Sequence, residues 1–287
     1  MTNIEVRLRS SYNSLSETER KAADYFFKNP NDVCNLPIAE LAQRSGVSPT
    51  AWVRLCKAVG CGGVKDMRKE LYAEGVSTDT AKTNDIHFAD LREGNSAEQI
   101  IHAVSSASIQ AMRDTAKLLD KNELARAAQC IMGAKSIRLF GVGASGLVAD
   151  DLYQKLTRIN LHAMFTHDTH AQLGYGAVAG PEDVGVFISN TGCTRETLEP
   201  LAAMKKRGCK TIGITRYSKS PLAAGCDILL YTASPEVYVR SGAMSSRLAQ
   251  LMTIDVLFTL IAGENYDTIK DSLEESYAIC QTHRVEG

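Results

Sequence analysis

Asp183-Val184-Gly185-Val186-Phe187-Ile188-Ser189-Asn190-Thr191-Gly192-Cys193-Thr194-Arg195-Glu196 is the stretch that decides the fold of this chain. Its first half is a continuous apolar run, as expected of a strand buried on both faces of a parallel sheet. Past it, Leu198, Leu201, Ala202 and Met204 recur at helical spacing. Between strand and helix, a short turn collects the hydroxyls of Ser189, Thr191 and Thr194 around Gly192. Side-chain O–H groups, backbone N–H groups and a helix N-terminus then converge on one small volume, which suits a phosphate. Ser and Thr are also ordinary helix N-caps, so the turn alone leaves both readings open.

A second loop, Gly141-Val142-Gly143-Ala144-Ser145-Gly146, follows the strand-like Ser136-Ile137-Arg138-Leu139-Phe140. It fits G-x-G-x-x-G, and Asp168 lies downstream where a dinucleotide's ribose would want a carboxylate. The Ser145 hydroxyl in the first turn of the next helix argues instead for a single phosphoryl group, because a pyrophosphate is cradled by bare backbone. Two such loops, after the first and third strands of one sheet, predict one crevice for a small phosphorylated ligand. The expected donors are the side chains of Ser145, Ser189, Thr191 and Thr194 and the backbone N–H groups of Asn190 and Gly192. Gly143 and Gly192 would let the backbone approach the ligand closely.

Outward from these loops, strand patterns at 136–142, 161–166, 183–189, 211–215 and 227–232 alternate with helical ones. That alternation predicts a five-stranded parallel sheet flanked by helices, Rossmann-like in winding. Helices are expected at Ala97–Leu118 and 122–133 before the first strand. A long apolar helix at 244–262 is expected to pack on the sheet and to contribute to a subunit interface. The chain therefore divides into an all-α domain at 1–76, a polar linker at 77–95 and an α/β domain at 96–287.

In the all-α domain, a short helix from Ile38 to Arg44 breaks at Ser45-Gly46-Val47. Ser48 then caps a second helix with Pro49 at its first position, where the missing N–H costs nothing. Helix, glycine-containing turn and capped helix make a helix-turn-helix. Trp52, Val53, Leu55, Cys56 and Val59 would face inward, leaving Ser48, Thr50, Ala51, Arg54 and Lys57 toward a major groove, with Lys65 alongside. Between residues 41 and 71, six basic side chains stand against two acidic ones, a local excess of positive charge suited to phosphate contacts.

The chain has 287 residues, 44% hydrophobic and 23% charged, with a formal net charge of -1, so any nucleic-acid contact must come from such local charge. The opening residues do not read as a signal peptide, and no apolar run reads as a membrane span. The eight cysteines form no C-x-x-C pair and no Cys/His ladder, so no metal site is expected and a reducing cytoplasm fits. Cys193 is the one cysteine on a ligand loop.

Gly141–Gly146, Ser189–Glu196 and Ser220-Pro221-Leu222-Ala223 together resemble a sugar isomerase (SIS) domain. The run Arg240-Ser241-Gly242-Ala243-Met244-Ser245-Ser246-Arg247-Leu248-Ala249-Gln250-Leu251, continuing into Ile254-Asp255-Val256-Leu257, resembles the closing helix of that domain in the RpiR family of bacterial transcriptional regulators. Leu15-Ser16-Glu17-Thr18-Glu19-Arg20 and Ile38-Ala39-Glu40-Leu41-Ala42 agree with that family's N-terminus. Thr191 stands where the family often has serine and keeps the hydroxyl. The resemblance implies a cytoplasmic regulator of sugar metabolism, amino sugars included. It would bind double-stranded operator DNA as a homodimer or homotetramer and respond to a phosphorylated sugar, with no cofactor and no membrane. Of the two histidines past the second strand, the resemblance points to His170 rather than His167 as a sugar contact. Glu236 and Arg240 would face the ligand or a neighbouring subunit. The alternative is a sugar-phosphate isomerase or lyase, which needs a base at the substrate carbon. Glu196 and His170 are the residues to name for it, but no acid/base couple stands out, and a helix-turn-helix has no use in an isomerase. The expectation is therefore a regulator, not an enzyme.

Overall fold

Amphipathic runs with explicit start signals build the first part of the chain. The computed structural model describes residues 2–73, 96–233 and 243–281; the expected linker at 77–95, Glu236 and Arg240 lie outside them. Helices α1 (Asn3–Ser11) and α2 (Glu17–Lys28) each open on a capping box, Thr2 with Glu5 and Ser16 with Glu19. They are followed by α3 (Pro30–Asn35), α4 (Ile38–Ser45), α5 (Pro49–Ala58) and α6 (Val64–Ala73). Phe26, Leu41, Trp52, Leu55 and Met67 are fully buried together at their centre, and the ring of Tyr25 meets that of Trp52 edge-on. The long helix α7 (Ala97–Leu118) groups with this helical unit rather than with the sheet, a difference from the boundary expected at residue 96. One reason is local: Asn3 Nδ2 donates to the carbonyl of Lys117.

The rest of the chain winds around one sheet. After α8 (Lys121–Met132) come β1 (Ile137–Phe140), α9 (Ala144–Arg158), β2 (Ala163–Met164), α10 (Thr169–Ala177), β3 (Val184–Ile188) and α11 (Arg195–Lys206). Then follow β4 (Lys210–Arg216), α12 (Pro221–Gly225), β5 (Ile228–Thr232), α13 (Met244–Glu264) and α14 (Tyr266–Gln281). All five expected strands are present, paired in parallel in the order β2-β1-β3-β4-β5, with Phe140 beside Phe187 and Ile188 beside Ile214.

Period-two alternation sends side chains to two separate cores. Leu139, Val186, Ile214 and Leu230 face α8, α9 and α13 on one side. Phe140 and Phe187 stack at 4.6 Å on the other, against Leu201 and Met204 of α11. Both faces are therefore covered, which explains why the strands read as continuous apolar runs. Helix α13 is, by length and composition, long and apolar enough to cross a membrane, against the reading that no run qualifies. Its Ala249, Ile254, Leu257 and Ile261 are buried, the last three in the sheet's core, as in a helix that packs on a sheet.

Candidate functional site

Strand order locates the crevice. β1 is flanked by β2 on one side and β3 on the other, so the chain leaves β1 and β3 in opposite directions at their carboxyl ends. Such a switch point is where open doubly wound sheets bind ligands. The 141–146 loop leaves the end of β1, and the 189–194 loop leaves the end of its neighbour β3.

The first loop is held tightly and left open where a ligand would come. A Cβ on Gly141 would lie 2.7 Å from the Ser145 carbonyl, so only glycine lets the strand end pack on the first turn of α9. Gly143, at φ 57° and ψ -127°, is the N-cap of α9 and offers no side chain to cap it. Nothing lies within 4 Å of where its Cβ would be. The loop is pinned from below by Gln172, a fully buried residue the sequence reading did not single out. Its Oε1 accepts from Gly141 N–H at 3.2 Å, and its Nε2 donates to the Gly141 carbonyl at 3.0 Å and to that of Thr166 at 2.7 Å.

The second loop pairs its hydroxyls. Ser189 Oγ and Thr194 Oγ1 lie 3.0 Å apart. Thr194 is the N-cap of α11, yet its side chain caps nothing, because the hydroxyl is turned to Ser189. Gly192 N–H donates to Ser189 Oγ at 3.2 Å and to the Ser189 carbonyl. The Gly192 N–H, expected as a backbone donor to the ligand, is engaged inside the turn here, as are the Ser189 and Thr194 hydroxyls. A Cβ on Gly192 would collide with the Ser220 hydroxyl, so this glycine serves close packing as well as its φ of 65°. Thr191 is exposed and accepts from Cys193 N–H at 3.3 Å. Asn190 is buried, and among the described residues its Oδ1 has no hydrogen-bond partner.

Electrostatics favours an anion between the loops. The α8, α10 and α12 starts are closed by the side chains of Asp120, Asp168 and Ser220. The α9 and α11 starts, which face the crevice, carry no side-chain cap. Their N–H groups and the positive ends of two helix dipoles remain for a ligand. Arg195 at the start of α11 is exposed and ion-paired with Glu199 at 2.6 Å. The hydroxyls and backbone thus form a set of neutral donors.

Asp168 accepts from the N–H groups of His170 and Ala171 at the start of α10. That capping role accounts for its carboxylate without a dinucleotide ribose. His170 is exposed on the first turn of α10. His167 stands 3.8 Å from Asp150 and edge-on to Phe165. A second glutamine, Gln250 on α13, was likewise not singled out from sequence: Ser145 Oγ donates to its Oε1 at 3.3 Å.

In the helical unit, Gly46 ends α4 in the left-handed region at φ 67°, and Ser48 Oγ accepts from Ala51 N–H at 3.3 Å to start α5. Trp52 Nε1–H donates to Ser45 Oγ, tying the two helices across the turn. Ser48, Thr50, Arg54 and Lys57 are exposed, as is Lys65 on α6. Ala51 is corrected: it is 5% exposed and packs inward with Trp52 and Leu55, so its methyl cannot meet a base. Two of the six local basic residues are spoken for. Arg44 pairs with Asp32 and Glu40, and Arg68 donates to the carbonyls of Val33 and Leu36.

Among the described residues, Cys61, Asp66 and Glu70 place ligand-type atoms within 4.8 Å of one another. Glu70 is ion-paired with Arg7, and Asp66 accepts from Gly62 N–H. Burial, with Glu70 alongside, pushes the Cys61 thiol up to about 12, so near neutral pH it stays protonated.

Comparison with known proteins adds independent findings. Residues 2–77 match the model of the helix-turn-helix domain, rpiR family, and residues 130–260 match that of the SIS domain. The HTH-type transcriptional regulator YbbH of Bacillus subtilis is 36% identical over 279 residues, covering 97% of each chain. The HTH-type transcriptional regulator HexR of Pseudomonas aeruginosa is 31% identical over 259 residues, 90% of this chain and 89% of its own. The structure of the Vibrio vulnificus NanR protein complexed with ManNAc-6P aligns with a TM-score of 0.62 at 29% identity, covering 99% of this chain and 100% of that one.

Proposed function

This chain belongs to the rpiR family of helix-turn-helix transcriptional regulators that carry a SIS domain, and from that premise we propose that it couples operator binding to a phosphorylated sugar. One observation carries the ligand half: at the β1/β3 switch point, α9 and α11 begin without side-chain caps around the Ser189–Thr194 hydroxyl pair. A phosphoryl group entering there gains both helix N-termini and the hydroxyls of Ser145, Ser189, Thr191 and Thr194, with Gly143 allowing close approach. The backbone N–H of Asn190 assists, and His170 reads a sugar hydroxyl. ManNAc-6P in the related NanR structure makes an amino-sugar phosphate the first compound to try.

On the DNA side, Ser48, Thr50 and Arg54 on α5 meet the major groove, while Lys57 and Lys65 meet the phosphate backbone. Assembly as a homodimer or homotetramer presents two such helices to a near-palindromic operator. The protein works in the cytoplasm, where DNA and sugar phosphates meet. Ligand binding shifts the assembly between two arrangements, and DNA in turn shifts ligand affinity by the same factor.

The test is binding of the purified protein to DNA from upstream of its own gene against random DNA at one salt concentration. Each sugar phosphate tried is also assayed for turnover. Preference for the upstream DNA and unchanged sugar phosphate are expected. Turnover without any DNA preference would replace this reading with a sugar-phosphate isomerase or lyase.

A further inference from the structure

Gln250 is a buried polar residue that the crevice described so far does not use. It sits in the second turn of α13, is 1% exposed, and meets the ligand loop through the hydrogen bond from Ser145 Oγ to its Oε1. Among the described residues its Nε2 has no partner, so a strong donor is buried unpaired beside a loop residue that faces the crevice. Buried amides are kept when both ends are satisfied, and one left half-satisfied calls for an account. In this arrangement the Ser145 proton points at Gln250, and the serine offers a neighbouring anion only lone pairs. That is the wrong polarity for a phosphate oxygen.

A half-turn of the Gln250 carboxamide reverses that polarity and leaves an acceptor, Oε1, in place of the unpaired donor. Nε2–H then donates to Ser145 Oγ, and the serine proton is released toward the crevice. We propose that Gln250 is a positioning residue for Ser145. Its amide holds the serine proton inward while the crevice is empty and turns it outward, as a donor to the phosphoryl oxygen, when an anion binds. Donation by Nε2 polarises the serine O–H and strengthens the bond it makes. The hydrogen bond also ties occupancy of the 141–146 loop to the orientation of a side chain on α13. This inference rests on the phosphosugar reading of the crevice.

The test measures the rise in melting temperature of the full chain against inorganic phosphate at constant ionic strength. It compares the wild type, Ser145→Ala, Ser145→Thr and each of them combined with Gln250→Met. Gln250→Met in the otherwise native chain should weaken phosphate about five- to tenfold, the size of one neutral hydrogen bond. In the Ser145→Ala background the same change should alter affinity by less than about twofold, because the partner it acts through is gone. In Ser145→Thr, which keeps the hydroxyl, dependence on Gln250 should return. Gln250→Leu repeats the series should the methionine variant fail to fold. Equal losses in the native and Ser145→Ala backgrounds, or no loss in either, would overturn the positioning role alone. A wild type that does not respond to phosphate, or responds as Ser145→Ala does, would instead overturn the crevice reading and this inference with it.

Discussion

Ser48 and Thr194 stand at the same place on two helices, the N-cap, and do opposite things. Ser48 turns its hydroxyl onto its own helix and closes the start of α5, with Pro49 removing a further N–H. Thr194 turns away from α11 toward buried Ser189 and leaves that start open. A closed start presents side chains, as a helix reading base edges requires. An open start presents backbone N–H groups and a dipole, as a phosphate pocket requires. The difference comes from what competes for the hydroxyl: Ser48 is exposed, whereas Thr194 has a buried hydroxyl 3.0 Å away.

The largest expected effect breaks the open side of that comparison. Replacing Ser189 and Thr194 together with alanine removes two hydroxyls from an anion, each hydrogen bond to a charged group worth roughly 1.5–3 kcal/mol. Sugar-phosphate affinity, read by calorimetry, should fall by about a hundredfold or more. Retained affinity would place the ligand elsewhere.

On the closed side, Arg54→Ala should weaken operator binding by about 1–3 kcal/mol and relax sequence preference, as for a base-edge contact. Lys57→Ala should weaken all DNA alike and lower the salt slope by about one. Anisotropy titrations at several salt concentrations separate the two outcomes. If Arg54→Ala behaves as Lys57→Ala is expected to, Arg54 is a backbone contact.

A smaller effect sharpens the comparison itself. Ser48→Ala should cost about 1 kcal/mol of unfolding free energy, the usual loss of a cap. Thr194→Ala removes no cap and should cost less than about half of that in urea unfolding. Equal losses would mean that Thr194 closes α11 in solution. Smallest of all is a protection effect: exposed Cys193 should react with a thiol reagent more slowly once a sugar phosphate fills the loop. Cys56, Cys61 and Cys226, pushed up to about 12 chiefly by burial, should stay unreactive in the folded chain. A Cys193 rate indifferent to ligand would place that side chain off the site.

Much of this architecture was legible in sequence because local signals and the fold agree. Val184–Ile188 is continuous and apolar because both sheet faces are covered, and Ser48-Pro49 starts α5 because cap chemistry needs only neighbours in sequence. What escaped depends on distant partners. Gln172 and Gln250 reach the first loop from α10 and α13, 31 and 105 residues away, and a lone glutamine carries no local pattern. Ala51 lies near the edge of the apolar stripe of α5, where a small change of helix phase decides its face. The Gly192 N–H bonds to Ser189 because that side chain folds back onto its own turn, a contact that composition does not reveal.

Whether the open crevice and helix α5 are coupled, as proposed, is decided by one titration. Fluorescence anisotropy of upstream DNA is measured with and without ManNAc-6P, then with other sugar phosphates, at fixed salt. One sugar phosphate should shift operator affinity by about five- to 150-fold, the usual range of allosteric coupling, and Ser189→Ala with Thr194→Ala should abolish the shift. An operator affinity that no sugar phosphate moves, although one of them binds the crevice, would contradict the proposed coupling.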